Sequence, residues 1–401
     1  MASALIVDLE CGLAAREAAG LQRIRRTLDS AQGARIVVDG RAIVSFASND
    51  YLGLASHPDV VAAAREGAAD WGAGAGASHL ICGHFAPHAT LEAELSAFVR
   101  PCAGARALTF SSGYLANLAI LTALAGRGDA IFADRLNHAC LNDGALLSRA
   151  EFVRYPHADV AALARRLAAS RAKRKLIATD AVFSMDGDLA PLPDLCALAE
   201  EFDAWLVVDD AHGFGVLGTG ENGGRGTLAH FGLASDRIVY MGTLGKAAGV
   251  AGAFVAAHPA VIETLVQTAR SYIFTTAAPP LIAEALRASL RILRDDAARR
   301  ARLFELIARF RSRLPAGPWT LPDSRTPIQP LVVGANAAAV ELAGALWDRG
   351  FWVPAIRPPT VPKGTARLRI TLSAAHTRDD VDALVDALAD LAPTFGSTRA
   401  G

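Results

Sequence analysis

Lys246 lies in the stretch "YMGTLGKAAGVAGAF", a single amine among Gly, Ala, Thr and Leu. A lysine so placed either carries its charge to water along its own stem or has that charge neutralised by burial or by chemistry. The apolar run "WLVVDDAHGFG" ends in Asp209 and Asp210, with His212 three residues after Asp209. In isolation such acids cap turns. The next apolar run, "RIVYMG", leads into Thr243 and Lys246, so neighbouring strand ends bring a carboxylate and an amine to one cleft. A carboxylate that can hold a pyridinium nitrogen and a lysine that can form a Schiff base are the protein groups pyridoxal 5'-phosphate most requires. The small neighbours of Lys246 leave room for such a ring.

A phosphate needs donors, and "SSGYLANLAIL" offers Ser111, Ser112, Gly113 and Tyr114 where a helix is predicted to start. Free N–H groups and the helix dipole favour anions there, although taken alone the same residues read better as an ordinary helix cap. Thr243 and Thr276 add hydroxyls. His138, in "DRLNHACLNDGA", is either a structural histidine or an imidazole lying on a cofactor ring. Ser184, in "VFSMDGD", ends another strand-like run beside an Asp186-Gly187 turn. Arg357 precedes two prolines in "AIRPPTVPKGTARLRI", which keeps it out of regular structure and suits it to gripping a carboxylate. The pattern G-x-G-x-x-A in "GAGAGASH" follows a helical stretch rather than a strand, so it reads as a tight glycine-rich loop and not as a dinucleotide fingerprint.

The elements that must position these residues are legible as alternating periods. From residue 105 the runs "RALTFSS", "AIFADR", "EFVRYP", "KLIATDAVFS", "AWLVVDDA", "RIVYMGT" and "AGAFVAA" alternate with helical stretches. That alternation predicts an α/β fold with a mostly parallel central sheet flanked by helices, whose ligands sit beyond the strands' carboxyl ends. Upstream, residues 13–28 have helical spacing, and "ARIVVDGRAIVSFAS" predicts a hairpin turning at Asp39-Gly40. Downstream, residues 281–314 predict a helix pair, and "PIQPLVVG", "FWVPAIRP" and "ARLRITLS" predict strands of a smaller α+β domain. The chain of 401 residues thus divides into an N-terminal helix and hairpin (1–47), a cofactor-binding major domain (48–285) and a C-terminal small domain (286–401).

Composition narrows the partners. Lys plus Arg and Asp plus Glu each total 40, so no charge excess recommends nucleic acid or an acidic membrane. The 5 cysteines, Cys11, Cys82, Cys102, Cys140 and Cys196, have no metal-like spacing and fit a reduced cytoplasmic protein. The start "MASALIVDLECG" lacks a basic n-region, and no apolar run reaches bilayer length, so neither secretion nor membrane insertion is expected.

Together "SNDYLGL", "SSGYLAN", "DRLNHACLNDGA", "VFSMDGDLAPL", "VVDDAHGFGVLG", "GTLGKAAGVAGAF" and "IRPPTVPKGTARLRITLSAAH" resemble, in order and spacing, the α-oxoamine synthases. These are pyridoxal-phosphate acyltransferases of the fold-type I aminotransferase architecture, and the likeness spans nearly the whole chain. The resemblance implies that Lys246 anchors the cofactor and serves as acid and base, and that Asp209 holds the pyridine nitrogen protonated. His138 would stack on the ring, while His212 and Ser184 would bond its phenolic oxygen. Ser112, Gly113, Tyr114 and Thr243 would hold the phosphate, with Thr276 reaching in from the second subunit of a homodimer. Arg357 would bind the amino-acid carboxylate, near Asn49. Arg23 or Arg25 would meet the far end of the acyl substrate.

The double proline and Thr360 resemble members that condense L-alanine with pimeloyl-CoA or pimeloyl-acyl carrier protein for biotin synthesis. Glycine-using members are the nearest alternative. An aminotransferase on the same fold and a nucleotide-binding module resting on "GAGAGASH" are more distant ones. Asp180-Ala181 and His79 depart from the residues common in relatives, and neither is expected to touch the core chemistry.

Overall fold

The computed structural model describes residues 3–396, so residues 1–2 and 397–401 of the two terminal parts lie outside the description. The hairpin β1 (Arg35–Val38) and β2 (Arg41–Ser45) turns at Asp39 and Gly40, both at positive φ, as a two-residue turn between right-twisted strands requires. Seven further strands, β3 (Arg106–Phe110), β4 (Ala130–Asp134), β5 (Glu151–Tyr155), β6 (Lys175–Asp180), β7 (Ala204–Asp209), β8 (Ile238–Thr243) and β9 (Ala253–Ala257), form one sheet in the order β3-β9-β8-β7-β6-β4-β5. Only β9 runs against its neighbours. Every strand expected in the major domain is present, and the sheet is mostly parallel as predicted.

Alternation along the strands fills both faces. Phe132, Ile177, Leu206 and Val208 enter one apolar cluster, while Ile131, Leu176, Val207 and Val239 enter another. A sheet buried on both sides explains why these runs read as continuous apolar stretches rather than as half-polar ones. Because β6, β7 and β8 are parallel, their carboxyl ends share one edge, with Asp180 registered against Asp209 and Asp209 against Met241.

The chain then runs through helices Pro280–Asp295 and Ala297–Arg313, the expected pair, into β10 (Ile328–Gly334), β11 (Phe351–Trp352), β12 (Ala355–Ile356) and β13 (Ala366–Thr371). β10, β13 and β12 form one small sheet, whereas β11 joins β2 in parallel, so the hairpin shares a sheet with a C-terminal strand.

The N-terminal helix differs from expectation. It spans Ala4–Ala18 and buries no residue, and Leu21–Thr27 is not helical. Gly20 at φ 64 ends the helix, with Leu21 N–H donating to the Arg16 carbonyl and Gly20 N–H to that of Glu17. That left-handed glycine cap overrides the helical spacing that continues beyond it. Among the described residues no helix is long and apolar enough to cross a membrane.

Candidate active site

A cavity of about 200 Å³ opens at the carboxyl edge of β6, β7 and β8. Its walls carry Gly113, Tyr114, His138, Ser184, Asp209, His212, Thr243 and Lys246, together with Cys140 and Asp180. Residues spread over 134 positions of sequence therefore converge as the strand-end rule requires.

Lys246 follows β8, and its Nζ lies 2.9 Å from His212 Nε2. Burial brings the Lys246 amine down to about 8, against the opposing pull of Asp209, with Arg369 adding to the fall. His212 is held well below the usual imidazole range by burial and by the Lys246 charge, so its ring is neutral. The consistent arrangement has Lys246 donating to Nε2 and the Nδ1–H turned to the Tyr51 hydroxyl, which in turn donates to Asn49 Oδ1 at 3.3 Å. Arg369 donates to the same Asn49 oxygen at 3.1 Å and to the Ser184 carbonyl at 2.6 Å.

At neutral pH an ordinary lysine is overwhelmingly protonated, whereas one near 8 supplies its neutral form in quantity. Labelling of the cofactor-free protein with an amine reagent, read by peptide mass spectrometry, is expected to modify Lys246 with a half-maximal rate near pH 8. Lys173, Lys175 and Lys363 serve as internal controls. A Lys246 profile that rises only near pH 10 contradicts this.

Asp209 accepts from Asn117 Nδ2 at 2.6 Å and from the Ala211 N–H at 3.0 Å, so its carboxylate is fixed at the cavity floor. His138 caps helix Ala139–Ser148, its Nδ1 taking the Cys140 N–H at 3.2 Å with the Cys140 thiol 2.8 Å away. Burial and then Asp209 push that thiol up to about 12, so it stays a neutral neighbour and not a nucleophile. Burial also lowers His138, which leaves an uncharged ring facing the cavity.

Helix Gly113–Leu124 points its N-terminus inward. Ser112 Oγ accepts from Leu115 N–H at 3.3 Å, while Gly113 and Tyr114, whose N–H groups precede any carbonyl of their own helix, line the cavity. An anion placed there meets two backbone donors and the positive end of the helix. Thr243 Oγ1 donates to the Gly252 carbonyl at 3.2 Å from the opposite wall.

The donor set therefore fits pyridoxal phosphate. A lysine amine low enough to be nucleophilic, a buried carboxylate with two donors behind it, a neutral imidazole wall and a helix N-terminus correspond to its aldehyde, ring nitrogen, ring face and phosphate.

Several residues stand elsewhere. Thr276 lies in a separate small cavity with His79, Ser111 and Tyr272. Arg357 donates to the Gly20 carbonyl, and exposed Thr360 donates its N–H to the Arg357 carbonyl at 3.1 Å. Arg23 lies on a groove beside the N-terminal helix. Asp180 lines the cavity next to Asp209, accepts the His138 N–H at 2.9 Å, and is pushed well above the usual carboxylate range by burial and then by Asp209. Sequence reading also missed Asn117, Tyr51 and Arg369. Asn117 had a usable signal, since it sits one helical turn after Gly113.

Comparison with known proteins agrees with this geometry. The family model for aminotransferase class I and II matches residues 41–388. An 8-amino-7-oxononanoate synthase of Aromatoleum aromaticum is 60% identical over 384 residues, covering 96% of this chain and 98% of its own. A serine palmitoyltransferase solved with a pyridoxal-phosphate internal aldimine superposes with a TM-score of 0.90 at 30% identity, covering 97% of this chain and 98% of that one. The 8-amino-7-oxononanoate synthase of Francisella tularensis superposes with a TM-score of 0.75 at 32% identity, covering 89% and 99%.

Proposed function

The chain belongs to the aminotransferase class I and II family and, within it, to the pyridoxal-phosphate-dependent 8-amino-7-oxononanoate synthases, and from that premise we propose how its residues work and on what. The substrates are L-alanine and a pimeloyl thioester, and the reaction joins them with loss of carbon dioxide and of the thiol. The observation that carries this reading is the pairing of a lowered Lys246 amine with the Asp209 carboxylate in one cavity.

When bound, pyridoxal phosphate supplies an electrophilic carbon for amines and a ring that accepts the electron pair of an amino acid's α-carbon. Lys246 would hold that group, and its amine would remove the α-proton and later return a proton to the same carbon. Asp209 keeps a proton on the ring nitrogen, and Asn117 and the Ala211 N–H keep Asp209 in place. His212 takes part at the phenolic oxygen with Ser184, while Tyr51 fixes which nitrogen of His212 faces inward. His138 covers the ring. Ser112, Gly113, Tyr114 and Thr243 hold the phosphate.

Arg357 binds the substrate carboxylate with Asn49 and Thr360 nearby, and Arg23 or Arg25 receives the far end of the acyl chain. Thr276 completes the phosphate site from a partner subunit. In support of a homodimer, Ile81 and Phe274, 79% and 70% exposed, flank the segment that carries Thr276. Such bare apolar side chains mark a surface that associates. The protein is expected to work in the cytoplasm, on a thiol carried by coenzyme A or by acyl carrier protein.

Thiol release is the direct assay. Pimeloyl-CoA with L-alanine is expected to release one thiol per product, and glycine in place of alanine is expected to be turned over at least about tenfold less well, the scale on which a pocket resolves one methyl group. Preference for glycine with a short acyl donor would assign the chain to the glycine-using members. Consumption of a keto acid without thiol release would make it an aminotransferase.

A further inference from the structure

After helix Pro58–Trp71 the chain folds back tightly on itself. The Gly83 N–H donates to the Ser78 carbonyl at 3.0 Å, and a Cβ on Gly83 would stand 2.1 Å from the Ala77 carbonyl oxygen, so this closure admits only glycine. The turn His79–Gly83 places His79 at one end and exposed His84 just beyond the other, with their Nδ1 atoms 3.0 Å apart. Helix Ala86–Val99 adds buried His88. One ring nitrogen from each of the three histidines lies within 4.8 Å of the others.

We propose that His79, His84 and His88 form a binding site for one divalent transition ion of the zinc type, with water as the remaining ligand. Imidazole is a preferred ligand for such ions, and three of them with one open position is a known zinc arrangement. The His79 to His84 separation is close to the ~3.3 Å edge of a tetrahedron with metal–nitrogen bonds of about 2.0 Å. His88 donates its Nε2–H to the Ala278 carbonyl at 2.9 Å, the second hydrogen bond by which a ligating imidazole is commonly oriented. Its Nδ1, which now takes the Phe85 N–H at 3.1 Å, exchanges that contact for the ion.

His79 is held at about 4 by burial and then by the charges of His88 and His84, and burial also lowers His88. Glu92, fixed at 2.8 Å by both the N–H and the hydroxyl of Thr109, lies within electrostatic reach of His84, and burial raises its carboxyl. Tyr272 stacks on His79 with ring centroids 5.1 Å apart and steadies its orientation.

The site would also act on its surroundings. Ser78 pairs with Thr276, Ala277 N–H donates to the Ala77 carbonyl at 3.0 Å, and His88 holds Ala278. An ion here ties the His79 turn to the segment that presents Thr276. The consequence for Thr276 rests on the function proposed above, whereas the site itself does not.

The test uses the cofactor-loaded protein, stripped of metal by a chelator and titrated with Co²⁺, with visible absorption and metal analysis as readouts. The expected result is one cobalt per chain with tetrahedral visible bands, displaced by Zn²⁺ and accompanied by no thiolate-to-cobalt band. His84→Ala, at an exposed position, and His79→Phe, which keeps a ring on Tyr272, are each expected to weaken binding at least about tenfold. The cofactor's own absorbance serves as a check that it does not take the ion. Absence of stoichiometric cobalt, binding unchanged in both variants, or a thiolate band pointing to Cys82 would each overturn the site and leave a plain imidazole-to-imidazole hydrogen bond.

Discussion

Lys246→Ala in the cofactor-loaded protein is expected to lower kcat by about 10⁴-fold, the upper end of what one positioned acid and base contributes. On the proposed mechanism the amine that anchors the cofactor and the base that takes the α-proton are the same atom, and His212 cannot replace it. His212 is neutral because burial and the Lys246 charge hold its ring low, and its Nδ1 is engaged by Tyr51. Removing Lys246 relieves the charge but leaves the burial. Two further readouts separate loss of chemistry from loss of fold. After borohydride reduction the variant is expected to release its cofactor on denaturation, whereas the parent keeps it covalently. A small primary amine added to the buffer is expected to restore part of the activity, because truncation leaves space where the side chain stood. Activity within about tenfold of the parent would transfer the base to another residue.

Asp209→Asn is the second large effect. Asparagine keeps one acceptor oxygen, enough for either the Asn117 amide or the Ala211 N–H but not both, while removing the charge that on the proposed mechanism holds a proton on the ring nitrogen. Loss of a charge aimed at the reacting group costs about 10²- to 10³-fold, and that fall is expected in kcat. The same substitution moves Lys246 in a defined direction. Asp209 raises the Lys246 amine against burial, so without it the amine falls below about 8 and labelling of the cofactor-free variant begins at lower pH. Asp180→Asn is the control. The Asp180 carboxyl is pushed up by burial and then by Asp209, both of which favour its neutral form, so a neutral isostere that still accepts the His138 N–H is expected to keep kcat within about tenfold. A larger fall in Asp180→Asn than in Asp209→Asn would reverse the roles of the two acids.

The major sheet was legible because a strand buried on both faces leaves a continuous apolar run, and the polar residue ending each run marks the ligand edge. Asp209, Thr243 and Lys246 were found that way. The helix start at Gly113 was legible too, through Ser112 as its cap. Spacing could not show the supports behind these groups, because they are tertiary. Asn117 reaches Asp209 across 92 positions, Tyr51 reaches His212 across 161, and Arg369 reaches Asn49 across 320. The place of Asp180 in the cavity wall was not visible for a related reason. That place comes from strand register, which sets it beside Asp209, and register depends on the whole sheet and not on its own segment. The N-terminal helix was placed too far downstream because periodicity there continued past Gly20, while no buried contact was available to extend the helix.

The most direct measurement of the central claim is borohydride reduction of the cofactor-loaded protein followed by peptide mass spectrometry. The geometry around Lys246 requires the pyridoxyl mass on that residue alone, with Lys173, Lys175 and Lys363 unmodified. A label on any of those three, or none on Lys246, would contradict the account.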